Sequence, residues 1–221
     1  GLSLGEGGTS ATACSDALAT YLGFANSKCA DKWSDIVAWD NSRDNVSHVF
    51  TRQSIPMVWD FVEANPFSNS SGNFNGATNW ISKVIELSSC NSKGFVRQAD
   101  ATNISNNNLK PIIVSTDPPY YDAVPYSDLS DFFYVWMRRS LNKIHPELFT
   151  TLATPKEAEL VADQYRHGSR KKAQKFFEDG LEKVFTQVRE TAHNRYPFSV
   201  YYDIKQTESE ALQNGTSQKI A

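Results

Sequence analysis

No apolar run in the chain approaches the roughly 20 residues needed to cross a bilayer, and the amino terminus lacks the basic, apolar and small regions of a signal peptide. No membrane partner is therefore expected. Cysteine is scarce: Cys14, Cys29 and Cys90 are three in all, with no C-x-x-C pair and no histidine at ligand spacing. That excludes a disulfide framework and a zinc site as readings and favours a reducing, cytoplasmic setting. Charge of one sign is also lacking, since the formal net charge is only −3. No global positive field draws this chain onto nucleic acid, so any such binding has to come from a local patch. The first residue is Gly1 and the final stretch, 206–221, is polar with no closing element, which reads as a fragment of a longer protein with a flexible tail.

What is present describes a packed protein. Hydrophobic residues make up 40%, aromatic residues 12% and charged residues 21% of 221 positions, enough to bury one sizeable α/β core with attachments. Residues 10–32 carry Ala13, Ala17, Leu18, Tyr21, Leu22, Phe24 and Ala25 at helical spacing. A second helix is expected over 44–63, with Pro56 as a kink, followed by a Ser, Asn and Gly loop at 67–76 and a helix at 77–87 whose face holds Trp80, Ile81, Val84 and Ile85. Two short β-branched runs, 94–99 and 111–115, read as buried strands. Ser127 is expected to cap a helix reaching 144, Thr154-Pro155 to open a short helix to 162, Ser169 to cap a long helix to 193, and 197–205 to form a third strand. The alternation predicts a parallel sheet wrapped by helices, organised as a helical region (1–93), a catalytic region (94–205) and the tail.

Chemistry concentrates at Asp117-Pro118-Pro119-Tyr120, directly after the apolar run Ile112-Ile113-Val114. In open α/β sheets the carboxyl ends of strands are where ligands sit. Prolines average about 5% of residues, so two in succession between an acid and an aromatic at a strand end form a specific signal. An exocyclic amino group is a poor nucleophile while its lone pair is delocalised into the ring. Two oxygen acceptors for its hydrogens, the Asp117 carboxylate and the Pro118 carbonyl, answer that need. The prolines fix φ and so hold both acceptors in direction. As the amine attacks, it becomes positive, so the carboxylate matches the transition state better than the ground state. Tyr120 offers a ring for a base turned out of its stack. The plainer reading is a strand-ending acid followed by a stiff turn and a packed tyrosine.

These residues look like the D-P-P-Y motif of the amino-methyltransferases that modify adenine or cytosine. The wider context, Ser115-Thr116 before the motif, Tyr121-Asp122 after it and the run from Tyr126 through Trp136, resembles the large adenine-specific DNA methylases that contain a zinc ribbon. Arg52-Gln53, Pro56 through Phe61, Asn65-Pro66-Phe67 and Tyr165-Arg166-His167-Gly168 extend the resemblance over most of 1–205. It implies a Rossmann-like methyltransferase sheet, here as a partial domain with added helices, S-adenosylmethionine as cofactor, and Asp117, Pro118, Pro119 and Tyr120 as the catalytic base-amine site. It also implies an acid near the cofactor's adenine, carried over to Asp100. That residue has the alternative role of capping the next turn.

The chain departs from the family in having no F-x-G-x-G loop behind a strand; Gly5-Glu6-Gly7-Gly8 has too little chain before it. The resemblance places that loop in an upstream segment of the full-length protein, which is then a partner of this one. DNA is the other expected partner, contacted by Tyr121 and by Arg166, Arg170 and Lys171 of the single basic cluster, which otherwise reads as a solvated helix start. The loop at 69–75 is of a kind that a ligand orders, or a plain surface loop. His48, His145 and His193 lack acids or cysteines at ligand spacing and read as structural. The expected activity is S-adenosylmethionine-dependent methylation of the adenine amino group in DNA. The alternatives are N4-cytosine methylation, methylation of a protein glutamine or RNA, for which Asn would be expected at 117, and a catalytically silent DNA-binding or scaffold fragment.

Overall fold

The structure is a computed structural model describing residues 1–88, 94, 96, 98–103 and 112–202. Cys90, residues 203–205 of the third expected strand and the tail at 206–221 lie outside the described residues. The fold is mixed α/β with only small sheets. The chain divides into two compact units, one of 1–98 with 125–159, the other of 99–124 with the chain from Leu160 onward.

The first unit is built on α1 (Ala11–Trp33), α2 (Phe74–Leu87) and α3 (Tyr126–Leu141). Helix α1 lies where the periodicity predicts it, but its buried face is made of small residues, Ala13, Gly23, Ala25 and Cys29, while Leu18, Tyr21, Leu22 and Phe24 stay exposed. Small residues let helix axes approach closely. Ala25 and Cys29 pack against Ala77 of α2 with Trp33, Phe74 and Ile81 around them, and Gly23 leaves room for the buried Leu141 of α3.

Helix α2 starts three residues before the expected position, because Asn73 supplies the cap: its Oδ1 accepts the Gly76 N–H at 2.6 Å. The helix expected over 44–63 does not form. Instead β1 (Trp39–Asp40) and β2 (Asn45–Val46) make an antiparallel hairpin pairing Trp39 with Val46, and Asp44 turns it at φ +48°. Proline at 56 denies the following segment a regular helix, and Met57 and Trp59 project into solvent at 98% and 101% exposure.

Helix α3 begins one residue before Ser127 and stops at Leu141, short of the expected 144. Ser127 is not its cap but a buried residue of the first turn. The free N–H groups there find a carboxylate from far along the chain: Glu159 accepts from Ser127 N at 2.9 Å and from its Oγ at 2.6 Å. The helix expected at 154–162 is likewise absent. Thr154 donates its N–H to Asp131 at 2.8 Å and Lys156 Nζ lies 2.7 Å from the same carboxylate, so the segment is strapped to α3 rather than coiled.

In the second unit, β3 (Ser115–Thr116) pairs in parallel with β4 (Ser199–Val200), in the register Ser115 to Ser199 and Thr116 to Val200. A bridge from Ile112 to Ala192 extends the pairing towards the end of a long helix. Short α4 (Gln164–His167) ends at Gly168, φ +76°, and leads into α5 (Arg170–Thr191), where Ser169 accepts the Lys172 N–H as the sequence predicts. Phe177 and Ala173 of α5 enclose a small core with Ala162, Leu160 and Leu181. The strand expected at 94–99 is not formed at its described positions, 94, 96, 98 and 99; Val96 is exposed and has no neighbouring ladder. Among the described residues the parallel sheet is therefore two short strands, with the long helix α5 leading into one of them.

Candidate functional site

Residue 116 is the last of β3, and its carbonyl accepts the Tyr201 N–H at 2.9 Å, so Asp117 leaves the carboxyl end of a parallel strand, the placement expected of a ligand site. Asp117 is exposed, and among the described residues no hydrogen bond or ion pair occupies its carboxylate. Pro118, Pro119 and Tyr120 are half-buried.

Three contacts lock the turn that follows. Ala123 donates its N–H to the Tyr120 carbonyl at 2.8 Å, Ala162 donates to the Tyr121 carbonyl at 2.8 Å, and Tyr202 accepts the Tyr121 N–H on its hydroxyl at 3.1 Å. They hold Tyr121 at φ +32°, a left-handed conformation that costs a non-glycine residue on the order of 1–3 kcal/mol. Such strain persists only where the surroundings over-determine it, and it clusters at working sites. The Tyr120 ring meets the edge of the Tyr202 ring at a centroid distance of 5.5 Å.

The other sequence-derived residues fall into different roles. Tyr121, expected to contact nucleic acid, sets its ring edge-on against Phe177 at 5.2 Å and belongs to the core beneath the turn. Asp100 is exposed, and its Oδ1 accepts from both the N–H and the hydroxyl of Thr102 at 2.8 Å, opening the 3-10 turn Ala101–Asn103. That is the capping geometry. Arg166 pairs with Asp163 at 3.5 Å, whereas Arg170 and Lys171 stand exposed on the first turn of α5.

Tyr202 is the participant that sequence reasoning missed. It lies in the stretch read as the third strand, but only the parallel pairing of 115–116 with 199–200 carries it to the motif. His48, read as lacking an acid, is bonded through Nδ1 to Asp31, seventeen residues earlier.

The resemblance implies a glycine loop behind a strand for the methionine end of S-adenosylmethionine. In the second unit Gly168 ends a four-residue helix and Gly180 lies inside α5 against Leu160, so neither follows a strand. With Asp100 engaged by Thr102, the described residues of this unit do not fit a complete cofactor cradle. Among the described residues no group of three His, Cys, Asp or Glu side chains could hold a metal ion, and no helix is long and apolar enough to cross a membrane. No family model, no curated protein and no solved structure matches the chain.

Proposed function

We propose that this chain carries the base-amine site of a cytoplasmic DNA adenine amino-methyltransferase, its cofactor cradle being contributed by an upstream segment of the full-length protein. The observation that carries the reading is the unengaged Asp117 carboxylate at the end of a parallel strand, followed by a turn held rigid against its own backbone preference. Asp117 accepts one amino hydrogen and the Pro118 carbonyl the other. Both acceptors return lone-pair density to the nitrogen and favour the positive charge that grows there during alkylation. Tyr120, braced by Tyr202, provides the ring against which an extruded base lies. Arg170 and Lys171 supply local positive charge for phosphates, in place of the net field that the composition denies.

The test is transfer of labelled methyl from S-adenosylmethionine to duplex DNA by the full-length protein. Asp117→Ala is expected to lower the rate about a hundredfold or more, in line with loss of one preorganised electrostatic partner. Its melting temperature stays that of the parent, because the side chain is exposed. Full activity in Asp117→Ala would overturn the assignment. A full-length protein that binds DNA without any transfer would favour the silent scaffold, the reading that the missing glycine cradle supports.

A further inference from the structure

The first unit holds a second constellation, independent of Asp117. A cavity of about 290 Å³ is lined by residues that include Lys28, Asp31, Lys32, His48, Ser71 and Trp80. One wall is held by Trp33, whose Nε1 donates to the Gly72 carbonyl at 2.9 Å. Gly72 itself sits at φ +87°, where a Cβ would come within 3.1 Å of Lys32 Cγ, so any other residue would be strained where the loop closes against α1.

The charged groups are ordered to different degrees. Asp31 accepts the Val49 N–H on Oδ1 at 3.1 Å and His48 Nδ1 on Oδ2, which orients the imidazole and turns its Nε2 away from the carboxylate. Lys32 Nζ is held by the Val46 carbonyl at 2.6 Å. Lys28 has no hydrogen bond or ion pair among the described residues. Two ammonium groups against one carboxylate leave the lining positive even with His48 neutral. The start of α2 is not what carries this, since Asn73 already takes the Gly76 N–H. Trp80 adds an indole that is 61% exposed, with Lys83 Nζ over its ring at 5.5 Å from the centroid.

We propose that this cavity binds a mononucleotide, a phosphate monoester carried on a planar ring, with Lys28 and His48 facing the phosphate and Trp80 stacked on the ring. The volume sits at the lower end of small-molecule sites, roughly 300–1,000 Å³, and suits one phosphorylated ring rather than a length of polymer. An anion answers the unpaired Lys28, and an aromatic ring answers the exposed indole.

The experiment titrates the whole chain with adenosine 5′-monophosphate, adenosine and inorganic phosphate, following affinity by calorimetry and the backbone amides by nitrogen-15 NMR. The monophosphate is expected to shift amides at 28–32, 48 and 71–80, with adenosine and inorganic phosphate each binding at least about tenfold more weakly. Lys28→Gln and Trp80→Leu, both at exposed positions, are each expected to weaken the monophosphate about tenfold without changing the melting temperature. The proposal is overturned by absence of those shifts, by inorganic phosphate binding as tightly as the monophosphate, or by unchanged affinity in both folded variants. None of these results bears on methyl transfer at Asp117.

Discussion

At the scale of single residues, the first unit depends on two carboxylates, Asp131 on α3 and Glu159, that tie α3 to chain later in the sequence. Removing the Ser127 hydroxyl takes from Glu159 Oε2 a hydrogen bond of 2.6 Å in a part-buried site. Ser127→Ala is expected to destabilise the chain by about 1–2 kcal/mol in urea titrations. A loss below a few tenths would show that water replaces the hydroxyl freely. Asp131 behaves differently because it titrates. Desolvation tends to raise its pKa, but hydrogen bonds from Lys156 and Thr154 outweigh that and hold the carboxyl below the usual aspartate value. A folded-state value below the unfolded one, about 3.9, gives stabilisation that is fully present above that pH and lost as pH falls through the lowered value. Asp131→Asn is therefore expected to lower the urea midpoint at pH 7, with the gap to the parent closing below about pH 4. A gap that persists undiminished at pH 2.5 would assign the effect to packing. Both carboxylates were visible in the sequence as ordinary acids; their partners were not, since 32 and 23 to 25 residues of chain separate the bonded groups.

At the scale of elements, the long helices were legible, and the segments divided by a local turn and proline or strapped down by distant partners were not. Helix α1 lies where the apolar spacing over 10–32 predicts it and Ser169 caps α5 as the sequence predicts, because a cap and an apolar period act within one turn. The apolar spacing at 44–63 satisfies a helical pattern equally well, yet a hairpin turn at Asp44 and proline at 56 divide the segment. The consequence is testable. In the expected helix Met57 and Trp59 lie among the apolar positions of the pattern or beside them; in the structure both are solvent-exposed, so Met57→Ala and Trp59→Ala are each expected to alter stability by no more than about 0.5 kcal/mol. Loss of several kcal/mol in thermal unfolding would restore a buried helix. Element contacts also explain a glycine inside α5. A Cβ at Gly180 would stand 2.3 Å from Leu160 Cδ2, next to the Ala162, Ala173 and Phe177 core. Gly180→Ala is expected to cost about 1–3 kcal/mol from overpacking, despite alanine's better helix propensity of up to about 1 kcal/mol. A stabilised variant in the same assay would show that Leu160 moves aside readily.

At the scale of the whole molecule, the chain divides into two compact units, with 125–159 grouped with the amino-terminal residues. The sequence by itself determined the strong local features: four long helices at or near their expected positions, a short strand ending just before Asp117, and the Pro-Pro turn that follows. These depend on dihedral restriction, capping and periodicity, all of which act within a few residues. Tertiary structure alone decided which side chains surround that turn. It placed Tyr121 in the core against Phe177, brought Tyr202 from 81 residues away to brace the backbone, and gave His48 its carboxylate. The physical reason is that pairing across a parallel ladder or between packed helices depends on register and on the sizes of distant side chains, and neither leaves a mark in the local pattern of the residues that are joined.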